Sequence, residues 1–490
     1  MILRDSILHT NGFVRSTILL CTVVFLFIFA GCKPVGINYT PPEPNVPDIW
    51  ANKLVEAGQS DGGISKWWQT FNDPMLEGLI EESLQNNLDI RAALSRIDEA
   101  RYLRAVAAGE KSIQVDASGF YRQGKASENG LEVIPGASND RTNLHNVGLD
   151  ASWEIDVFGR IKRSVESADA SYQATIEDYH DVEVILSAEV ASAYVNVRTL
   201  QARLYYAQGN VMTQKDTLTL TKDRFKAQIV PEIDVRQAEL NLARTESSIP
   251  TLELQIEQAI YSLSVLLGRE PGYLRERLSS TQPMPQPSDI LAIGIPAEVV
   301  RSRPDIRRAE RFLAAQTAKV GVATADLYPR FSLSGSFAFE GTQLKHLGYE
   351  DSKRWTWGPS INWSLFNGDR LKNNLAAEKS RTEQALIEYQ RIVLRSLQEV
   401  ESSLTAYSKE QSRKEIVSRS VEAAKKSVEL VSDLYKSGLT DFQNVLDTEK
   451  SLFEQQDAYA SSSGLVLQNL IEVYRSAGGG WDPLAQAETP

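Results

Sequence analysis

The chain has 490 residues, 42% apolar and 24% charged, with 52 Lys and Arg against 64 Asp and Glu for a net charge of −12. This composition excludes bulk disorder, and the acidic balance argues against a nucleic-acid binder, which needs a basic face for phosphates. Four histidines (His9, His145, His180, His346) and two cysteines (Cys21, Cys32) lie far apart, so neither a metal cluster nor a Cys/His catalytic pair is expected, and no enzyme activity is assigned.

Residues 1–31 read as an export signal. Arg4 and Arg15 form a basic start, and the 15-residue apolar run Ser16–Ala30 is too short to span comfortably. It ends Phe29-Ala30-Gly31-Cys32, which resembles a bacterial lipoprotein box. Two small residues let the signal peptidase reach the bond, and the Cys32 thiol then takes a diacylglyceryl group, with a palmitoyl chain on the new N-terminus. Cys21 follows Leu19-Leu20 and lacks the small residue. Lys33, where an Asp would retain a lipoprotein in the inner membrane, favours the outer membrane. Acyl chains contribute about 0.8 kcal/mol per buried CH₂, enough to anchor a chain but not to carry it across. Cys32 is then the sole cysteine of the mature chain, so no intramolecular disulfide forms. The proline-rich stretch 33–47 reads as an extended tether within a linker and equatorial segment, 32–73.

Beyond it the chain repeats itself. Asn87-Leu88-Asp89-Ile90-Arg91 returns as Arg303-Pro304-Asp305-Ile306-Arg307, an offset of 216. After a loop six residues shorter the offset becomes 210, pairing Gly148 with Gly358, Trp153 with Trp363, Phe225 with Tyr435, Glu239 with Glu449 and Gly268 with Gly478. Two units follow, 74–295 and 296–481, with a tail at 482–490. Each holds two runs of period-two alternation, at 113–122 and 146–156, then at 331–340 and 355–366. Apolar residues on one face and small polar ones on the other predict transmembrane β-barrel strands, with a soluble half-buried sheet as the alternative. Trp355, Trp357 and Trp363, with Trp153, fit an aromatic belt at the membrane interface.

The remaining segments predict unusually long helices. One covers about 160–228 and its repeat mate about 370–437, with return helices at about 232–268 and 441–477. The first shows an apolar seam at steps of three and four, from Val165 through Ile176, Leu186 and Val197 to Leu204. At 1.5 Å per residue it extends about 100 Å. Pro250 is expected to kink or divide the first return helix. No apolar run after residue 40 is long enough for a membrane-spanning helix, and four strands cannot close a barrel. An open sheet edge in lipid leaves backbone groups unpaired at several kcal/mol each, so closure requires several chains.

The chain resembles the outer-membrane factors of the TolC/OprM type, in the NodT-like lipoprotein branch serving tripartite efflux. The likeness is carried by Cys32, by Trp67-Trp68-Gln69-Thr70-Phe71-Asn72-Asp73-Pro74-Met75-Leu76, by Arg303-Pro304-Asp305-Ile306-Arg307-Arg308-Ala309-Glu310, by Leu327-Tyr328-Pro329 and by Ala477-Gly478-Gly479-Gly480-Trp481. It implies a homotrimer: a twelve-stranded outer-membrane β-barrel, four strands per chain, continued by a twelve-helix periplasmic α-barrel. It also implies a periplasmic adaptor and an inner-membrane RND-type transporter as partners, with small molecules as cargo and no cofactor beyond the lipid on Cys32. The duct of a type I protein secretion system and a non-conducting envelope spacer are the competing readings.

By the same resemblance the periplasmic gate sits at the turn Tyr435–Asp447. Asp447 matches a carboxylate ring at the constriction, which would repel anions and attract cations. Asn444 stands where a second Asp can occur, and Gln443 where a bulky apolar plug can. Asp234, at the matching turn of the first unit, would hydrogen-bond Tyr435 of a neighbouring helix pair. Thr440 stands where a basic residue often reinforces that lock, so a differently held closure is expected. Without the family, Asp234 and Asp447 read simply as carboxylates favoured near helix N-termini.

Overall fold

A computed structural model describes residues 34–44, 46–51, 64–125, 141–287 and 296–482. The signal, Cys32 and the tail from 483 lie outside the described residues. In the first repeat the elements are α1 (Pro74–Asn86), α2 (Leu88–Gly109), β1 (Gln114–Gly124), β2 (Thr142–Ile155), α3 (Arg160–Lys226) and α4 (Glu232–Leu266). The single turn α5 (Arg275–Leu278) leads to the second repeat. There α6 (Pro296–Ser302), α7 (Pro304–Ala325), β3 (Arg330–Gly341), β4 (Lys353–Asn362), α8 (Arg370–Lys436) and α9 (Phe442–Ser476) follow.

One compact unit comprises Asp98–Ala174, Glu310–Glu388 and the segment up to Pro42. Its strands form one antiparallel meander in the order β1-β2-β3-β4. The register puts the alternation into rows. Ala117, Leu149, Phe337 and Trp355 lie side by side, as do Val115, Ala151, Gly335 and Trp357. The intervening rows, such as Asp116, Asp150, Ser336 and Thr356, are polar and share the opposite face. On that face Ser118 donates to Asp150 at 3.2 Å and Ser332 pairs with Ser360 at 2.9 Å. Trp355 and Trp357 are 68% and 71% exposed on the apolar face of the single chain.

β4 ends at Asn362 rather than at 366 because its partner β3 begins at Arg330, the residue opposite Asn362. Trp363 therefore leaves the ladder, and its indole N–H donates to the Leu327 carbonyl at 3.0 Å. Its repeat mate Trp153 donates to the Lys111 carbonyl at the same 3.0 Å. These two residues tie strand to helix end in both copies, in addition to any place they take at the membrane interface.

The other unit comprises Glu43–Ile97, Thr175–Ala309 and the chain from Tyr389. Trp67 is fully buried at its centre, stacked on Tyr474 (5.3 Å between centroids, 14° between planes) and edge-on to Trp68 and Phe71. Asp73 caps α1 through the Met75 and Leu76 amides and accepts a hydrogen bond from Tyr194 at 2.7 Å. Gly479 and Gly480 explain the glycine run before Trp481. A Cβ on Gly479 would sit 2.5 Å from Ile64 Cγ2, and Gly480, at φ +115°, donates to the Ile64 carbonyl at 3.1 Å.

The repeat persists in the end caps. Asn87 donates to the Leu266 carbonyl at 2.8 Å, closing α4; Arg303 donates to the Ser476 carbonyl at 2.6 Å, closing α9. The capping positions are mates at the 216 offset and the capped carbonyls at 210. Arg303 is further held by Asp305 and Glu399, at 2.7 and 2.9 Å.

α3 and α8 are each continuous over 67 residues. The expected apolar seam of α3 is buried in its middle, at Leu186, Val190, Val197 and Leu200, and half-buried on either side, at Ile176, Tyr179, Val182 and Leu204. Beside its buried middle lies a second buried row that is small or polar, including Ser187, Ala191, Arg198 and Gln201. α4 continues through Pro250 without dividing. Pro250 is exposed, so the carbonyl deprived of its partner faces water, and Ser247 and Ser248 hydroxyls bond carbonyls of the preceding turn at 2.7 Å.

Candidate gate at the helical turns

The two hairpins, α3–α4 and α8–α9, end in matched turns. Ile229 N–H reaches the Arg224 carbonyl at 2.9 Å and Gln228 N–H the Phe225 carbonyl at 2.8 Å. At the second turn Leu439 N–H reaches Leu434 at 2.9 Å and Gly438 N–H reaches Tyr435 at 3.0 Å. Both are Schellman closures, which satisfy the orphan carbonyls of a helix end.

Tyr435, in the last turn of α8, is 2% exposed and packs with Phe442, Val445 and Ala238. Across the hairpins Arg224 lays its guanidinium over the Tyr435 ring, 4.6 Å from the centroid. The same guanidinium donates to the Tyr435 carbonyl and, at 3.3 Å, to that of Lys436. It thus combines a cation–π contact with a charge at the negative end of α8. Burial raises the Tyr435 hydroxyl above the ordinary phenol range.

Asp234 lies in the first turn of α4. Its carboxyl is raised by burial and by Asp441, against the lowering influence of Arg224. The hydrogen bonds among the described residues of this one chain do not include Asp234 with Tyr435; Arg224 stands between them electrostatically. Asp447, Gln443 and Asn444 sit exposed at the start of α9. Gln443 donates to Asp447 at 3.1 Å, leaving the second carboxylate oxygen of Asp447 outside that bond. Asn444 is engaged locally: its amide N–H takes the Asp441 cap at 3.2 Å and its side chain donates to Thr440 at 2.9 Å. The structure thus joins Tyr435 to Arg224, which sequence reasoning missed, and keeps Asp447 on a different face.

A second missed feature runs up α3. Arg203, Asn210, Thr217 and Arg224 recur at steps of seven, and each contacts the second hairpin. Arg203 pairs with Asp457 at 2.7 Å, Asn210 donates to Gln456 at 2.6 Å and Thr217 donates to Glu449 at 2.6 Å. The contact of Arg224 with Tyr435 is the last rung. The seven-residue step was visible in the sequence, but its polar residues were overlooked beside the apolar seam.

Residues 79–269 and 295–479 match the model of the outer membrane efflux protein family, one segment for each repeat. The chain belongs to that family. As an outer membrane efflux protein it is 31% identical to nodulation protein T of Rhizobium leguminosarum bv. trifolii over 95% of its length and 98% of that protein's. It is 27% identical to the solvent efflux pump outer membrane protein SrpC of Pseudomonas putida, over 93% of this chain and 97% of that one. Among solved structures the outer-membrane channel OprN superposes with a TM-score of 0.84 at 36% identity, covering 92% of this chain and all of that one. The fold is TolC-like, with four strands per chain and long helices. The protein is an outer-membrane efflux channel component with a periplasmic helical extension, and the family is one of channels, not enzymes.

Proposed function

We propose that three copies of the chain close one exit duct for small molecules, gated where the hairpin turns converge. The twelve strands so assembled pair the outer edges of β1 and β4, and the half-buried ends of the α3 seam gain neighbours. Asp447 supplies the carboxylate ring, with Gln443 holding each carboxylate in place. Arg224, Tyr435 and Asp234 hold the hairpins together at rest. The observation that carries this reading is the Arg224–Tyr435 contact, a single cation laid over a ring at the ends of two hairpins, beside the apolar packing of Ala238 with Tyr435, Phe442 and Val445. A periplasmic adaptor and an inner-membrane RND-type transporter would deliver the cargo, and acylated Cys32 would anchor the duct. Relatives named for solvent, antibiotic and pyoverdine export support small-molecule cargo over secreted proteins.

Planar-bilayer conductance tests it. The assembled wild-type protein should conduct weakly, and Asp447→Ala several-fold more strongly. An inserted trimer that stays silent in both forms would refute the gate.

A further inference from the structure

Glu449 is 2% exposed, enclosed by α3, α4 and its own α9. Thr217 donates to one carboxyl oxygen at 2.6 Å and Asn241 to the other at 3.3 Å. Among the described residues no ion pair includes it. The basic groups nearest it in sequence on these helices pair with other acids, while Arg224 lies over the Tyr435 ring. Lys222 pairs with Glu239 at 3.1 Å and Lys215 with Glu246 at 3.0 Å, both between α3 and α4. Arg236 on α4 pairs with Glu239 and Glu232, at 3.0 and 2.8 Å. On α9 Lys450 lies 3.9 Å from Glu454, and on α8 Lys426 pairs with Glu429 at 3.1 Å. Asp447, one half-turn away, is exposed and bonded to Gln443.

The repeat supplies an internal control. Glu239, the mate of Glu449, keeps about a third of its side chain in water and is bound by Lys222 and Arg236, which hold its carboxyl below the ordinary range. Burial pushes the Glu449 carboxyl the other way, above that range, against the weaker lowering by Thr217 and Asn241. Same residue type, same place in the repeat, opposite environments.

We propose that Glu449 is a proton-responsive rung of the seam between the hairpins: neutral, it keeps them joined, and ionised, it favours their separation. The proposal rests on the reading of the tip as the closure. An ionised carboxylate without a cation is costly to bury, and parting the hairpins returns it to water. Closure is therefore fully supported below the ordinary carboxylate range and weakens as pH rises through the raised value. Arg203–Asp457, higher on the same seam, keeps its charges paired and gives the hairpins a pivot that does not depend on this proton.

The test is bilayer conductance of the assembled full-length protein between about pH 4.5 and pH 8. Wild type should rise several-fold across that range, and Glu449→Gln should stay low and flat. Thr217→Val, which removes a donor to the carboxylate, should move the rise to higher pH. Should Glu449→Gln fail to assemble, Thr217→Val decides alone, and an unmoved rise overturns the proposal. A wild type without the rise overturns it too, as does a Glu449→Gln channel that keeps the rise. Asp447→Asn separates the two ideas. If it abolishes the rise while Glu449→Gln keeps it, the tip remains the gate and the rung is lost. If conductance ignores Asp447→Asn but Glu449→Gln removes the rise, the rung stands and the Asp447 ring falls.

Discussion

Gln228 and Gly438 occupy the same left-handed position at the two hairpin turns, with φ of 59° and 76°. Their amides close the same Schellman bond, yet only the glycine adopts this conformation without a Cβ penalty. Gln228→Gly should therefore stabilise the first turn by about 0.5–1 kcal/mol, and Gly438→Ala should destabilise the second by a similar amount. Amide hydrogen exchange at Ile229 and Leu439 reads each turn separately; equal exchange in wild type and both variants would refute the argument.

Arg224 joins the hairpins through one side chain that makes a ring contact and caps two carbonyls. Arg224→Ala should weaken the junction by about 1–3 kcal/mol and raise resting conductance. Arg224→Lys should recover only part of the closure, because an ammonium cannot stack and fork at once. Full closure in the lysine variant would show that charge alone suffices there.

Asp181 carries a pH dependence of known sign. Burial lifts its carboxyl to about 6, with Asp305 and Asp178 adding to the effect and Arg308, 3.3 Å away, opposing it. The folded chain thus holds this proton more tightly than the unfolded one. Its stabilising contribution is complete below the ordinary carboxylate range and is lost as pH rises through about 6. Asp181→Asn should raise the unfolding free energy at about pH 8 by on the order of 1–2 kcal/mol, read from denaturant titrations, with the gain vanishing near pH 4. Arg308 keeps Asp178 as a partner in that variant. A gain that is constant with pH would point to packing instead.

Much of the architecture was legible before the structure. Strands show themselves by a period of two that no helix shares, and the long helices by runs without proline. The repeat then doubled the weight of each sign, as Trp153 and Trp363 illustrate. Pro250 does not divide its helix, because the residue is exposed and a lost backbone hydrogen bond costs least where water can replace it. Arg224 was invisible for a different reason. It lies 211 residues from Tyr435, and nothing local distinguishes it from the other basic residues near the end of α3. Asp234 and Asp447 were singled out by family pattern, whereas Gln443 and Asn444 departed from it. Glu449 escaped because its mate Glu239 makes the position look like a solvated helix face. Burial is a property of the packed hairpins, not of either segment.

Among the described residues the meander leaves the outer edges of β1 and β4 without strands beside them. Such edges are adhesive, and a secreted chain carrying two of them pairs with any strand it meets. Where encounter between chains limits assembly, the number of finished ducts rises more steeply than the rate of synthesis. A cell that doubles its output of this chain then more than doubles its export routes, and one that makes a little makes almost none.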